Sequence, residues 1–193
     1  MSPSRTLLVF SLFFLLAGLA SAQILELGGG AGADRLSNST LSQIDDAKLN
    51  SGWLIAFSVV LNTQEHFGHE VGYRYNRTNL NYAGTVYGMA THQGFYNFVA
   101  YALSDTSKVR PYIAGGAQFS NFVPPGGSAS YGQGFTKFGV NYGAGVKVRT
   151  SDRFLVRLDF HQFLSPKPDF GFTEAPQGWL RMNQISLSFA YTM

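Results

Sequence analysis

The chain of 193 residues is 45% hydrophobic and 15% aromatic but only 13% charged, with 22 glycines and no cysteine. Its 14 Lys and Arg residues against 11 Asp and Glu residues give a nearly neutral balance, which argues against a nucleic-acid-binding surface, and the lack of cysteine excludes disulfides. The many aromatic residues and glycines favour closely packed strands over helices, and no linker divides the chain into two domains.

The first 22 residues are typical of a secretory signal peptide. Arg5 precedes an apolar run over residues 7–16, and an Ala-Ser-Ala motif at residues 20–22 matches an A-x-A cleavage site. The run is shorter than the roughly 20 residues of a spanning helix, and no basic cluster follows it. We therefore predict that residues 1–22 are removed on export and that residues 23–193 form one domain. That domain has no apolar run long enough for a membrane helix, so it is expected either to be soluble after export or to cross a membrane as strands.

Eight segments of the mature chain are predicted to be β-strands, because large apolar residues alternate in them with small or polar residues. In the last segment, for example, Ile185, Leu187 and Phe189 alternate with Ser186 and Ser188. In the fourth segment, neighbouring aromatic residues break the alternation, so no facing is assigned to it. The segments are, in chain order, residues 24–32, 53–61, 67–75, 93–103, 110–122, 138–149, 154–163 and 183–193.

The predicted connections alternate between long and short. Short connections imply antiparallel neighbours, and the alternating order is typical of a single-chain outer-membrane barrel with extracellular loops and periplasmic turns. A soluble sandwich or ligand-binding barrel also has alternating strands, but its interior is usually apolar. The long connections are expected at residues 34–51, 76–91, 123–137 and 165–182.

The faces opposite the apolar stripes carry charges of both signs, which a narrow interior would keep only if they pair with each other. The sixth and seventh strands are joined by a tight turn, so their inward side chains are expected to lie about 5 Å apart, within ion-pairing reach. Asp159 is predicted to be the acid whose loss destabilises the barrel most. The loss of Asp45, an acid in an exposed loop, is expected to change the stability hardly at all. The candidate polar network of the lumen consists of Glu70, Arg74, Lys147, Arg149, Arg157, Asp159 and His161.

With these features, the chain resembles the small eight-stranded outer-membrane β-barrels of Gram-negative bacteria, the OmpA-like and opacity-type group. The resemblance covers residues 23–193 and implies an all-β, monomeric, up-and-down antiparallel barrel in the cell outer membrane, in contact with its lipids. It also implies that the barrel-assembly machinery recognises the last strand through Leu187, Phe189, Tyr191 and the terminal residue, which is Met193 where the family has an aromatic residue. The implied role is structural or surface-interacting, with variable outer loops and without catalysis or a cofactor.

Two motifs are similar to those of outer-membrane enzymes. Residues 119–121 are similar to the His-x-Ser-Asn motif of lipid A deacylases, but Gln118 stands at the position of the histidine. A serine without a base is not an activated nucleophile, so Ser120 is interpreted as a strand-end residue near the outer rim. Asp159 and His161 are similar to the Asp–His pair of omptin proteases, which are larger barrels with opposing acids that have no counterpart in these strands. The alternatives are therefore a lipid A-modifying enzyme and a soluble periplasmic ligand-binding barrel.

No spacing among the four histidines predicts a metal site, and no cofactor motif is found. None of these patterns identifies a small-molecule ligand. Six aromatic residues near predicted strand ends are interpreted as membrane-interface girdles. They are Trp53, Tyr73, Tyr75, Tyr101, Tyr142 and Tyr191.

Overall fold

The computed structural model describes residues 24–127 and 134–193, so the predicted signal peptide, residues 1–22, lies outside the described part of the chain. Within the described part, no helix is long and apolar enough to cross a membrane. The same residues form nine strands, eight of them long. They are β1 (Ile24–Ser37), β2 (Thr40–Ser42), β3 (Ala47–Gln64), β4 (Phe67–Tyr82), β5 (Thr85–Tyr101), β6 (Val109–Val123), β7 (Phe135–Arg149), β8 (Phe154–Pro166) and β9 (Trp179–Thr192).

The eight long strands form one closed antiparallel barrel. Each pairs with the next long strand along the chain, and β1 pairs with both β3 and β9, so the described barrel has no open edge. The three-residue strand β2 pairs only with β3. The predicted eight-stranded up-and-down barrel is thus confirmed. Ile24 and Thr192 lie at one end of the barrel, called the terminal end here, and the opposite end is called the loop end.

The register of the strand pairs sets the tilt of the strands. A circuit of paired residues that starts at Glu26 returns to β1 at Leu36, ten residues closer to the loop end. Rows of paired residues therefore climb toward the loop end by about one residue per strand in the order β1, β3 and onward to β9. An eight-stranded barrel leaves an interior just wide enough to be filled by side chains. The circuit passes through Glu26, Val60, Glu70, Asn97, Gly116, Asn141, Phe163, Met182 and Leu36.

Side chains along each strand alternate between a polar interior and an apolar exterior. On β5, whose facing the sequence left open, Phe95 is buried whereas Tyr96 and Phe98 are exposed, so Phe95 is the one of these three aromatic residues that points inward. A polar interior with an apolar exterior suits a barrel surrounded by lipid and is the inverse of a soluble barrel. Exposed apolar residues of the exterior include Ile55, Phe57, Val59, Val71, Ile113, Phe138, Leu158 and Phe189.

Two of the four predicted long loops are largely strand. β4 and β5 continue through residues 76–91 and meet at the two-residue turn Ala83-Gly84, and β1, β2 and β3 occupy most of residues 34–51. The apolar stripe ends where the strands leave the membrane, but the backbone hydrogen bonds continue, so the pattern of side chains underestimates strand length. The connection at residues 102–108, predicted to be short, is longer than this turn, so the predicted order of connection lengths is wrong.

The other two predicted loops correspond to connections at the loop end. β6 ends at Val123 and β7 begins at Phe135, while β8 ends at Pro166 and β9 begins at Trp179. Strands again extend into the ranges that the sequence assigned to loops, for the same reason.

The turn Ala83-Gly84 provides a test of this longer hairpin. Both residues have a positive φ, 48° and 75°, as a type I′ turn requires. Alanine is strained in this region and glycine is not, so we expect Ala83→Gly to raise the free energy of unfolding by roughly 0.5 kcal/mol and Gly84→Ala to lower it by about 1 kcal/mol. A Cβ added at Gly84 would meet no atom within 4 Å, so any stability lost in Gly84→Ala would report backbone strain alone. Urea midpoints in detergent micelles compare the variants, and equal midpoints would contradict this turn.

Candidate functional site

The centre of the interior is a cluster of charges around Arg157 on β8. Its Nη1 atom lies 3.0 Å from Glu70 Oε1 on β4, and its Nη2 atom lies 3.1 Å from Asp159 Oδ1. Nη2 also donates a hydrogen bond to Tyr112 OH at 2.8 Å, and Asn97 Nδ2 donates to Glu70 Oε2 at 3.3 Å. All five side chains are buried, so the two carboxylates share one guanidinium group away from bulk water.

A second ion pair joins β7 to β1 nearer the terminal end. Lys147 Nζ lies 2.5 Å from Glu26 Oε2 and donates to Tyr101 OH at 2.6 Å. Asn62 Nδ2 donates to Glu26 Oε1 at 2.8 Å, and the guanidinium of Arg110 lies 3.8 Å from the ring centre of Tyr101. These contacts fill the terminal end of the interior with paired charges and aromatic rings.

Toward the loop end, Arg74 on β4 begins a network of amide side chains. Its Nη1 atom donates to Gln184 Oε1 at 2.8 Å, and Gln184 Nε2 donates to Gln93 Oε1 at 2.8 Å. The guanidinium carbon of Arg74 lies 5.4 Å from the ring centre of Phe95 and 5.1 Å from that of Phe163. Arg74 is therefore held by a neutral acceptor and two aromatic faces, at the boundary between the polar and apolar parts of the interior.

His161 is fully buried in the same region but forms no pair with Asp159. Neither ring nitrogen of His161 makes a hydrogen bond to a described residue. The Asp159 oxygens instead face Arg157 and Ser188. The described residues therefore do not form the Asp–His arrangement of an omptin protease.

At the loop end the interior becomes apolar. A cluster of buried side chains crosses the barrel there, and Phe170 and Phe172 from the connection between β8 and β9 pack against it. The described interior is thus filled from the ion pairs at the terminal end to this cluster. Its members are Leu41, Ala47, Leu49, Leu80, Met89, Phe95, Phe122, Phe163, Leu180 and Met182.

Asp45 fastens the connection that carries these two phenylalanines. Its Oδ2 atom accepts hydrogen bonds from Thr173 N at 2.9 Å and from Ser42 Oγ at 2.8 Å, and Oδ1 accepts one from Thr173 Oγ1 at 2.9 Å. These hydrogen bonds, that from the Ser42 side chain first, lower the pKa of Asp45 below its ordinary value. The sequence placed Asp45 in a loop without a partner, whereas the structure gives it three hydrogen bonds, two of which, from Thr173, join two loops.

Six of the seven predicted lumen residues are buried in the interior. The seventh, Arg149, is half-buried at the terminal end, where its Nη2 atom donates to the Asp105 carbonyl oxygen at 2.5 Å. Sequence reasoning missed two inward acids, Glu26 and Asp34, because glycines interrupt the alternation along β1. Both occupy even positions of β1, in phase with the inward residues, and this parity could have revealed them. The six are Glu70, Arg74, Lys147, Arg157, Asp159 and His161.

Two residues interpreted from the sequence as rim or girdle residues lie in the interior. Ser120 is fully buried, and its Oγ atom donates to Gln118 Oε1 at 2.8 Å and accepts from Gln93 Nε2 at 3.2 Å. Tyr101 is buried beside Lys147. Ser120 does lie near the end of β6, as predicted, but a position near a strand end does not decide which face of the strand a residue occupies, and the interpretation of Tyr101 as a girdle residue was wrong. The girdle residues that are exposed on the exterior are Trp53, Tyr73 and Tyr142.

The sequence matches the family of outer membrane protein beta-barrel domains over residues 6–192. The chain belongs to this family. It is therefore an outer-membrane protein, and the alternative interpretation as a soluble periplasmic barrel is wrong. No curated protein matches the chain significantly.

Solved structures of outer-membrane proteins share the fold. OprG from Pseudomonas aeruginosa matches with a TM-score of 0.63 at 13% identity, over 90% of this chain and 96% of that chain. Neisserial surface protein A matches with a TM-score of 0.59 at 12% identity, over 89% and 99%. Ail of Yersinia pestis, in complex with the heparin analogue sucrose octasulfate, matches with a TM-score of 0.51 at 14% identity, over 90% and 100%. At these identities the similarity shows the fold alone.

Membership of this family orients the barrel. In single-chain outer-membrane barrels the periplasmic turns are short and the longer loops are extracellular. The loop end of this outer-membrane barrel therefore faces the cell exterior and the terminal end faces the periplasm. The apolar cluster and Asp45 lie on the extracellular side, whereas the pair of Lys147 and Glu26 lies on the periplasmic side.

Arg157 is expected to matter more for stability than either of its acids. Arg157→Met would leave Glu70 and Asp159 buried without their shared cation, at a cost of about 3–5 kcal/mol. Asp159→Asn leaves Arg157 paired with Glu70 and should cost only about 1–2 kcal/mol. Urea midpoints of the folded barrel in detergent measure both, with Lys108→Met as an exposed-cation control. If Asp159→Asn were as destabilising as Arg157→Met, the shared guanidinium would not be the central contact.

The contacts of Asp45 predict how firmly the extracellular loop is held. Asp45→Asn weakens the hydrogen bonds from Thr173, so chymotrypsin should cleave faster after Phe170 and Phe172, while the neighbouring exposed variant Asp46→Asn should match the wild type. Because the folded pKa of Asp45 is lowered, the contact persists below the pH at which an ordinary aspartate protonates and is lost as the pH falls through the lowered value. The Thr173 amide resonance should titrate there, and a transition in the ordinary range would contradict the contact.

Proposed function

We propose that this protein is a structural and surface-interaction barrel of the outer membrane that forms no wide pore and catalyses no reaction. The observation that carries the proposal is the filled interior. Ion pairs of Arg157 and Lys147 occupy its centre and periplasmic side, and the apolar cluster under Phe170 and Phe172 occupies its extracellular side. Side chains that fill an eight-stranded barrel leave no wide aqueous path. Function is then left to the outer wall and the extracellular end.

The surroundings of Ser120 and His161 support the absence of catalysis. Ser120 points into the barrel, where its hydrogen bonds within the described chain are to the amides of Gln93 and Gln118, so it has neither a base nor access to a lipid. His161 is fully buried, so no substrate reaches its ring. These observations weigh against the lipid A-modifying enzyme considered from the sequence.

The extracellular end carries several exposed apolar side chains, together called the apolar tip. The turn before β3 and the hairpin of β4 and β5 are adjacent, because Ala83 N donates to the Asp46 carbonyl oxygen at 3.3 Å. Exposed apolar patches beyond the membrane favour contact with a partner. We therefore assign the surface interaction to this tip. Its residues are Ile44, Tyr82, Val86 and Tyr87.

The charge of the extracellular connections narrows the class of partner. Ail was solved with a sulfated heparin analogue, and such a ligand requires a basic surface. In this chain the extracellular connections carry one base, Lys167, and four acids. We therefore propose an apolar or aromatic partner surface for the tip and not a polyanion. The acids are Asp45, Asp46, Asp169 and Glu174.

Biogenesis follows the family pattern in this proposal. The segment 1–22 directs export and is cleaved after Ala22, and a monomeric barrel assembles through the last strand. The side chains that present the assembly signal lie on the lipid-facing side of β9 and at its end. They are Leu187, Phe189, Tyr191 and Met193.

The apolar tip is tested by substituting Ile44, Val86 and Tyr87 with serine. Cells that display the wild-type barrel should adhere to polystyrene more strongly than cells without it, and the triple variant should lose most of this gain because its contact surface is polar. Leu103→Ser is the matched control, since this exposed apolar residue lies in the periplasmic connection. Heat-modifiable migration on gels verifies folding. Equal adherence of the triple variant and the wild type would overturn the surface-interaction role.

A further inference from the structure

Three arginines stand on the lipid-facing side of the barrel near its extracellular end. They are Arg35 on β1, Arg77 on β4 and Arg181 on β9, and all three are exposed. Each has buried or half-buried neighbours on both sides in its strand, so each points outward. We call these three residues the basic arc.

The register places the basic arc at one height. Arg77 is opposite Trp53, which is opposite Ala33, and the rows climb toward the extracellular end by about one residue per strand. Arg77 is two strands away from Ala33 in this row, so it lies about two residues above Ala33. Arg35 is also two residues above Ala33, so Arg35 and Arg77 lie at about the same height. On the other side of β1, Arg181 of β9 is opposite Ser37 of β1. Because β9 precedes β1 in this order of strands, Arg181 lies about one residue below Ser37 and so within about 3 Å of the height of Arg35.

The basic arc occupies one side of the barrel. It spans β9, β1, β3 and β4, roughly 15 Å around the wall at a strand spacing of about 4.8 Å. The outward positions of β6, β7 and β8, all of them described, contain no basic residue. Trp53, which faces lipid between Arg35 and Arg77, is the kind of aromatic residue that anchors a barrel at the membrane interface.

The arginines of the arc form no ion pair with the described acids of the protein. The three ion pairs formed by the described residues all lie in the interior, and all eleven acids of the chain are among the described residues. The guanidinium of Arg77 lies over Gly88 on β5. Three guanidinium groups at a membrane interface without a carboxylate partner are suited to bidentate binding of phosphate.

An apolar groove lies on the same wall beneath the arc. Its volume is about 560 Å³, and Gly29 on β1 forms its low edge beside the larger side chains of β3 and β4. Gly29 is six residues below Arg35, which places the groove roughly 15 Å deeper, within the apolar band of about 25 Å. The larger lining residues are Leu27, Phe57, Val59, Val71 and Tyr73.

We propose that the basic arc and the groove bind one phosphorylated glycolipid of the outer leaflet, the lipopolysaccharide class. The guanidinium groups of Arg35, Arg77 and Arg181 contact the phosphates of its headgroup, and an acyl chain lies in the groove over Gly29. Charge complementarity selects the phosphate, and the continuity of arc and groove on one wall selects a lipid over a soluble anion. The site is separate from the apolar tip, so either assignment can fail without the other.

The test titrates fluorescently labelled lipopolysaccharide into the folded barrel in detergent. Replacing Arg35, Arg77 and Arg181 together by glutamine should weaken binding at least tenfold, since each interfacial cation contributes separately. The control removes two exposed cations at the periplasmic end, by glutamine at Lys108 and Arg153, and should bind within twofold of the wild type. Equal binding by the arc variant and the wild type would overturn the proposal.

Two further arms identify the ligand. Enzymatically dephosphorylated lipopolysaccharide should bind the wild type as weakly as the intact lipid binds the arc variant, and Gly29→Leu, which fills the groove, should weaken binding severalfold with the arc intact. Inorganic phosphate at millimolar concentration should not displace the lipid. Full displacement by phosphate, or unchanged binding by Gly29→Leu, would mean a plain anion site and would contradict the lipid assignment.

Discussion

The pairing of β1 with β9 is the contact on which the rest of this structure depends. A membrane offers no water to unpaired backbone groups, so the sheet must close on itself, and β1 is the strand that joins its two ends. The glycines of β1 allow this approach. A Cβ at Gly30 would lie 2.2 Å from the Leu187 carbonyl oxygen, and one at Gly32 would lie 2.0 Å from that of Ile185. Small residues at the seam therefore bring the two strands together.

Closure with eight strands makes the interior narrow, and this decides its chemistry. Charges cannot be solvated in such a space, so each must be compensated by a neighbour. Arg157 serves two carboxylates from different strands, and Lys147 reaches Glu26 across 121 positions of the sequence. These bonds tie distant strands together and so reinforce the register that closure requires. The apolar cluster at the extracellular end completes the filling without charges.

Because the interior is filled, the surfaces available for contacts are those on the outside of the barrel. These outer surfaces are not chemically uniform. The side made by β9, β1, β3 and β4 combines Trp53, Gly29 and the outward arginines, whereas the outward face of β6 to β8 carries no charge. The extracellular end is different again, with acids in its connections and apolar side chains at its tip. One closed barrel thus presents chemically distinct surfaces to the lipid and to the exterior.

The alternation of side chains along the sequence determines much of the fold. A period of two along Ile185, Leu187 and Phe189 indicates a strand with one face in lipid, whatever the strand pairs with, because it depends only on local backbone geometry. Eight such segments, with a predicted export signal before them, are enough to predict the barrel and the membrane. The inward position of Arg157 and Asp159 follows from the same parity, since both lie opposite Leu158 and Phe160.

What the sequence could not determine is everything that depends on partners far along the chain. The strands of the hairpin at Ala83-Gly84 extend beyond the apolar stripe because of hydrogen bonds between backbones, which leave no mark on side-chain pattern. Glu26 became the partner of Lys147, and Asp45 that of Thr173, through a register that only closure sets. The sequence by itself determined the strands and their two faces, because these are local properties. Only the tertiary structure decided which residues meet, because a shift of ten residues around the barrel brings together side chains that are more than a hundred positions apart.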